Sequence, residues 1–177
     1  VRACVQVDDF LIKGTRKGTT RLISILEEKY GDVKPQYITT VTVSYNGIQL
    51  TYDKGVTTLH TERTIEDVMN KAELDHITAK TPARLDRPTT KYDKAENANK
   101  ATTDTYMARQ GGVNWVAQCG RIDIATAVSQ AASVMSAPKE AHLATQLQIF
   151  GYMNRTKQTK LQYKPPSRGK TNEITYF

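Results

Sequence analysis

Cys4-Val5-Gln6-Val7-Asp8-Asp9-Phe10-Leu11-Ile12 sets two adjacent carboxylates between two short apolar runs. On a straight strand successive side chains point to opposite faces, so neighbouring aspartates diverge. At the tip of a tight hairpin they can converge. Converging carboxylates repel unless a cation sits between them, and hard oxygen ligands suit magnesium. The stretch reads as strands over 3–7 and 10–13 around an Asp8-Asp9 turn. Two explanations fit it: a metal site for phosphoryl chemistry, or an acidic turn exposed to water.

Downstream, Gly14-Thr15 breaks the returning strand, and from Lys17 to Tyr30 the apolar residues Leu22, Ile23, Ile25 and Leu26 follow helical spacing. Gly31-Asp32 ends this helix, and Pro35 keeps it from resuming. Residues 37–43 are dense in β-branched and aromatic side chains and predict a strand. Asn46-Gly47 is a hairpin signal, residues 48–52 alternate as its second arm, and Asp53-Lys54-Gly55 turns into a third strand over 56–60. Thr61-Glu62-Arg63-Thr64 looks like the N-cap region of a short helix carrying Ile65, Val68 and Met69.

Residues 79–101 are polar, rich in lysine, threonine and asparagine, and contain Pro82 and Pro88, so they read as a long linker. Helical patterns follow: 104–118, where Gly111-Gly112 is expected to interrupt or kink, then alanine-rich 121–136, then a helix from Pro138 to about 154. Trp115, Tyr106, Val113 and Val116 are expected to pack inward together. Residues 160–164 and 173–177 predict two strands around Pro165-Pro166.

At 177 residues the chain has room for one domain or two small lobes, and 38% hydrophobic content excludes global disorder. No stretch approaches the roughly 18 to 20 apolar residues of a membrane span, and the N-terminus does not read as a signal peptide. Cys4 and Cys119 make neither a disulfide framework nor a zinc signature, which points to a reducing, intracellular setting, with Cys119 a buried, inert thiol. His60, His76 and His142 lack metal-ligand spacing. The net charge of +7 favours a polyanionic partner such as nucleic acid. The cations are dispersed over Arg16-Lys17, 80–87, 91–100, 155–160 and 164–170, so solvated loops and helix ends explain them equally well.

The order of these features is more informative than any one of them. Strand, Asp-Asp turn, strand, helix, meander and helical lobe together resemble the second half of a copia-type retrotransposon reverse transcriptase, over nearly the whole chain. Gln6-Val7-Asp8-Asp9 stands where that family carries Tyr-Val-Asp-Asp. Residues 48–59 with Thr64 to Met69 resemble its strand pair and following helix, and Thr81-Pro82 its Thr-Pro. Gly112-Val113-Asn114-Trp115-Val116-Ala117 is similar to its Gly-Ser-Leu-Met-Tyr-Leu segment. Gly120-Arg121-Ile122-Asp123-Ile124-Ala125 resembles its Thr-Arg-Pro-Asp-Ile run, and Pro138, His142, Tyr152, Thr156 and Leu161-Gln162-Tyr163 recur in order.

The resemblance implies an α+β fold: a partial polymerase palm sheet with catalytic hairpin and packed helix, then a mostly helical thumb and connection lobe. It implies palm end and meander over 1–60, the start of the thumb over 61–78, a linker over 79–101, a helical lobe over 102–158, and a connection over 159–177 leading toward an RNase H domain. Asp8 and Asp9 would be catalytic and bind two Mg²⁺ ions that activate the primer 3′-hydroxyl and stabilise the leaving pyrophosphate. Gln6 and Val7 would lie near the primer end, the strands of the meander would grip that end, and Lys34 and Arg121 are candidate phosphate contacts. Implied partners are an RNA template with a DNA primer, deoxynucleotides, and the upstream palm and fingers and downstream RNase H domain of the same polyprotein.

The family's third aspartate belongs on a strand upstream, for which the residues before Asp8 leave no room. The chain is therefore expected to be a fragment, inactive in polymerisation alone. Gln6 in place of tyrosine, Ile122 in place of proline, the missing meander glycine and the short segment between Tyr30 and Tyr37 suit a divergent or decayed copy. The alternative expectation is a non-catalytic remnant that still binds nucleic acid.

Overall fold

The computed structural model describes residues 1–6, 9–83, 96–164 and 174–176. Strand β1 (Arg2–Gln6) pairs antiparallel with β2 (Asp9–Lys13), Gln6 standing opposite Asp9. Asp9 thus opens the returning strand instead of sitting in the turn, one residue away from the expected arrangement. The pair is a two-stranded sheet of its own. Helix α1 (Arg16–Tyr30) follows, its first turn capped by the Thr15 hydroxyl, which accepts from Gly18 N at 3.2 Å. Gly31, at φ 90°, closes it by donating to Glu27 O.

Strands β3 (Val43–Tyr45), β4 (Ile48–Asp53) and β5 (Val56–His60) form the expected meander. Asn46 and Gly47 take φ of 50° and 78°, and Lys54 and Gly55 take 44° and 86°. Two consecutive positive φ values are what type I′ hairpin turns demand. The first strand is shorter than expected, because residues 37–42 are irregular. There the Thr39 hydroxyl accepts from Val41 N at 3.2 Å, a local bond that competes with a ladder, while Thr39 O takes Tyr52 N at 2.6 Å.

Helix α2 (Glu62–Ala72) ends where Glu73 turns left-handed at φ 56°. Helix α3 (Lys100–Gln118) is capped by the Asn99 side chain, which accepts from Thr102 N at 2.9 Å. It runs unbroken through Gly111 and Gly112, which corrects the expected interruption. The reason at Gly112 is packing: a Cβ there would lie 2.9 Å from Val68 Cγ1, so the missing side chain lets α2 and α3 approach. A 3-10 turn (Ile122–Ile124), α4 (Ala125–Ser133) and α5 (Glu140–Arg155) complete the lobe.

Strand β6 (Lys160–Tyr163) then returns to pair with β5, and β7 (Ile174–Tyr176) pairs with β6. The result is a five-stranded antiparallel sheet in the order β3-β4-β5-β6-β7. The fold is mixed α+β. The meander expected to close a palm segment and the strand expected to open a connection segment belong to one sheet, through the pairing of β5 with β6. Of the expected linker, residues 84–95 lie outside the described residues. Its ends are tied down: Thr81 O accepts from Gln148 Nε2 at 2.8 Å, and the Lys139 ammonium donates to Asn97 Oδ1 at 2.7 Å.

The core sits between α2, α3, α4 and α5, where Ile65, Met69, Val113, Val116, Ile124, Val128, Ile149, Phe150 and Met153 are buried. Burying each such side chain stabilises by about 1.5–3 kcal/mol. A polar seam crosses this core. Tyr106 donates to Ala131 O at 2.9 Å, Gln110 Nε2 to Val128 O at 3.0 Å, and Gln146 Nε2 to Tyr106 O at 3.0 Å and Gln110 Oε1 at 3.1 Å. No helix among the described residues is long and apolar enough to cross a membrane.

Candidate functional site

The β1–β2 ribbon has two unlike faces. Cross-strand pairs put Cys4 with Leu11 on one side, with Asp9 at its loop end, and Ala3 with Ile12 and Val5 with Phe10 on the other. Val5 is 57% exposed and Phe10 40%. Asp9 is exposed at the loop end of the ribbon. Gln6 ends β1, whereas Val7 and Asp8 lie outside the described residues, so the expected carboxylate pair is represented by Asp9.

The side bearing Cys4 and Asp9 faces Tyr45, the last residue of β3. Among the described residues the buried Tyr45 hydroxyl oxygen makes no close hydrogen bond. Burial holds its pKa above the usual phenol range, and the nearby Cys4 thiol and Asp9 carboxylate add to the shift. Reading the sequence did not single out Tyr45; its place directly before the Asn46-Gly47 turn, on the face shared with Ile48 and Leu50, was the available signal.

That turn is clamped from behind by the helical lobe. The Thr64 hydroxyl of α2 donates to Gly47 O, and the buried Cys119 thiol at the end of α3 lies 3.9 Å from Asn46 O. Trp115 Nε1 would be 3.1 Å from a Cβ at Gly47, so a side chain there would crowd the indole at a position whose φ of 78° already favours glycine. Tyr106, Val113 and Val116 are buried as expected, but Trp115 is 37% exposed, because it covers the turn instead of entering the core. Burial pushes the Cys119 thiol up, in keeping with an inert cysteine.

The two candidate phosphate contacts occupy very different places. Lys34 is on the loop after α1, highly exposed and 3.7 Å from an equally exposed Asp32. Arg121 is only 1% exposed. Its guanidinium makes a two-pronged pair with Asp123 at 2.9 and 2.8 Å, donates to Thr156 Oγ1 at 2.6 Å and Thr156 O at 3.3 Å, and lies over the Tyr152 ring at 5.7 Å. The expected phosphate contact at Arg121 is therefore corrected: the arginine faces inward and fastens the end of α5 to the 3-10 turn. A planar fork facing a carboxylate and a carbonyl suits that task.

Among the described residues no three His, Cys, Asp or Glu side chains gather where they could hold a metal. Asp9 alone does not make a two-ion site, so the described residues by themselves do not fit the implied magnesium pair. His142 is buried, its Nδ1 accepting from Lys139 N at 2.9 Å to cap α5, and His76 is exposed beside Asp75. Comparison of the chain with protein-family models, curated proteins and solved structures gave no match.

Proposed function

We propose that this chain is the part of a copia-type reverse transcriptase that runs from the Asp-Asp hairpin through the meander into the helical lobe. Its role in that RNA-directed DNA polymerase is to present the hairpin carboxylates and to hold an RNA template paired with a DNA primer. The observation that carries this reading is the register of the hairpin, which brings Asp9 to the loop end of a tight, solvent-facing ribbon. The contact between Tyr45 and that ribbon supports it, because the same strand and turn then stand beside the carboxylate, where a primer end would need to be gripped. The succession of hairpin, helix, meander and helical lobe agrees with the resemblance drawn from the sequence.

Polymerisation belongs to the complete enzyme, since the resemblance assigns a third carboxylate and the nucleotide-contacting fingers to residues upstream of Asp8. A second reading, a nucleic-acid-binding protein without catalysis, is favoured by the net charge of +7, which suits a polyanionic partner.

Thermal unfolding with and without Mg²⁺ separates the two. A rise in Tm with Mg²⁺ that disappears in Asp8→Asn/Asp9→Asn supports the polymerase reading. Salt-sensitive binding of an RNA·DNA duplex with no response to Mg²⁺ refutes it in favour of the second. In neither case does the purified chain extend a primer; template-dependent extension would overturn the assignment of essential groups to upstream residues.

A further inference from the structure

From residue 141 to residue 172 there is no aspartate or glutamate, yet Arg155, Lys157, Lys160, Lys164, Arg168 and Lys170 all fall there. Such a run has no counter-charge of its own, and it accounts for most of the chain's net +7. A charge run is commonly just a solvated face, so its placement in the fold is what matters.

Strand β6 carries part of this run into the five-stranded sheet. Leu161 is buried, so alternation puts Lys160 and Gln162 on the opposite face. Across the ladder, Lys160 stands opposite His60 and Gln162 opposite Thr58, and those residues stand opposite Gln49 and Thr51 of β4. One face of three neighbouring strands therefore presents Gln49, Thr51, Thr58, His60, Lys160 and Gln162, with no carboxylate among the six. Asp53, at the end of the β4 row, marks its border.

An open groove of about 560 Å³ adjoins this face, lined by Thr156, Gln158, Thr159, Lys160 and Gln162. Two groups at its rim are engaged: the Thr156 hydroxyl with Arg121 and with Tyr152 O, and Lys157 with Glu66 at 2.6 Å. The side chains of Gln158, Thr159, Lys160 and Gln162 have no hydrogen bond or ion pair among the described residues. Ammonium, hydroxyl and amide groups are the side chains that meet phosphate oxygens in nucleic-acid complexes.

We infer that this groove and the adjoining sheet face form a binding surface for the phosphate backbone of a nucleic-acid duplex, with Lys160 as its cationic anchor. The surface rests on the nucleic-acid part of the function proposed above but not on the hairpin or on magnesium. With a single lysine and several neutral donors, it reads backbone and not base sequence.

The test is fluorescence anisotropy of a labelled RNA·DNA duplex titrated with the full chain and with its Lys160→Ala and Gln158→Ala/Gln162→Ala variants, at 50 to 200 mM salt. Lys100→Ala, whose exposed lysine lies on α3 and pairs with Asp104, is the control. Losing one phosphate contact lowers the slope of log affinity against log salt by about 0.9. The unmodified chain should therefore lose about three- to fourfold more affinity than Lys160→Ala between 50 and 200 mM salt. Lys160→Ala should bind more weakly whatever the duplex sequence, Lys160→Arg should restore binding, and the glutamine pair should weaken binding without changing the salt slope. Binding that persists unchanged in Lys160→Ala overturns this surface while leaving a nucleic-acid role standing. Absence of duplex binding by the unmodified chain overturns both. Equal competition by polyglutamate, sensitive to Lys160, would instead mark the face as a site for an acidic protein and refute the inference. Circular dichroism of each variant excludes unfolding as the cause.

Discussion

Two adjacent glycines in α3 should respond in opposite ways to the same substitution. Glycine in a helix interior is about 0.8–1.0 kcal/mol less favourable than alanine. At Gly111 an added Cβ meets nothing within 4 Å, so Gly111→Ala should recover most of that difference. At Gly112 the same methyl would lie 2.9 Å from Val68 Cγ1 and 3.4 Å from Cγ2. Val68 is β-branched and on a helix, where one χ1 rotamer dominates, so it cannot simply swing aside. Overpacking of this kind costs about 1–3 kcal/mol, which leaves Gly112→Ala between roughly neutral and about 2 kcal/mol destabilised after the helical gain. For a chain of this size each kcal/mol moves Tm by about 2–4 °C. Gly111→Ala should thus rise by about 2–4 °C and Gly112→Ala fall by up to about 8 °C. Urea unfolding followed by circular dichroism, checked for two-state behaviour, measures both. In a Val68→Ala background the penalty at 112 should vanish, a coupling that a double-mutant cycle reads directly. Equal stabilisation by both alanines, or a Gly112→Ala penalty untouched by Val68→Ala, would refute the packing argument.

Arg121→Met should cost about 3–5 kcal/mol, because it takes the buried guanidinium away from the Asp123 carboxylate and removes the donors to Thr156. Adding Asp123→Asn should recover part of the loss in urea unfolding, and a change below about 1 kcal/mol would show that the pair contributes nothing. His60 has its pKa lowered by burial and then by Lys160, partly opposed by Glu62. The unfolded state therefore takes up the proton first, so stability should be flat above about pH 6.5, fall as pH drops below it, and level off beneath the folded pKa. Tm measured from pH 8 to 5 should lose this segment in His60→Gln, and identical profiles for the two proteins would refute the assignment.

The elements that the sequence made legible rest on short-range rules. The Asn46-Gly47 turn, the helical spacing of Leu22, Ile23 and Leu26, and the helix following Pro138 all emerge as expected. So do the two strands around residues 165–173, which themselves lie outside the described residues. The failures share a different cause. Residues 37–42 have the composition of a strand, but β propensity acts only where a partner is available, and local threonine bonding prevails there. Glycines 111 and 112 look like a break because the neighbour that makes one of them useful, Val68, is far away in sequence. Trp115 sits on a helical period with core residues, yet the turn it covers decides its exposure.

The candidate site divides along the same line. The two carboxylates and the β-hairpin around them were visible in residues 4–12, because pairing and turning there are settled by a handful of neighbours. Tyr45 beside Cys4 and Asp9, Arg121 turned inward to Asp123 and Thr156, and the grouping of the β6 donors with those of β4 and β5 were not. Sequence alone determined the order of hairpin, helix, meander and helical lobe, since periodicity and turn chemistry act within a few residues. Only the tertiary structure decided that β6 returns to β5, and with it which cations are buried and which are presented on the face of the sheet. Pairings across about a hundred residues depend on loop closure and packing that no local pattern records.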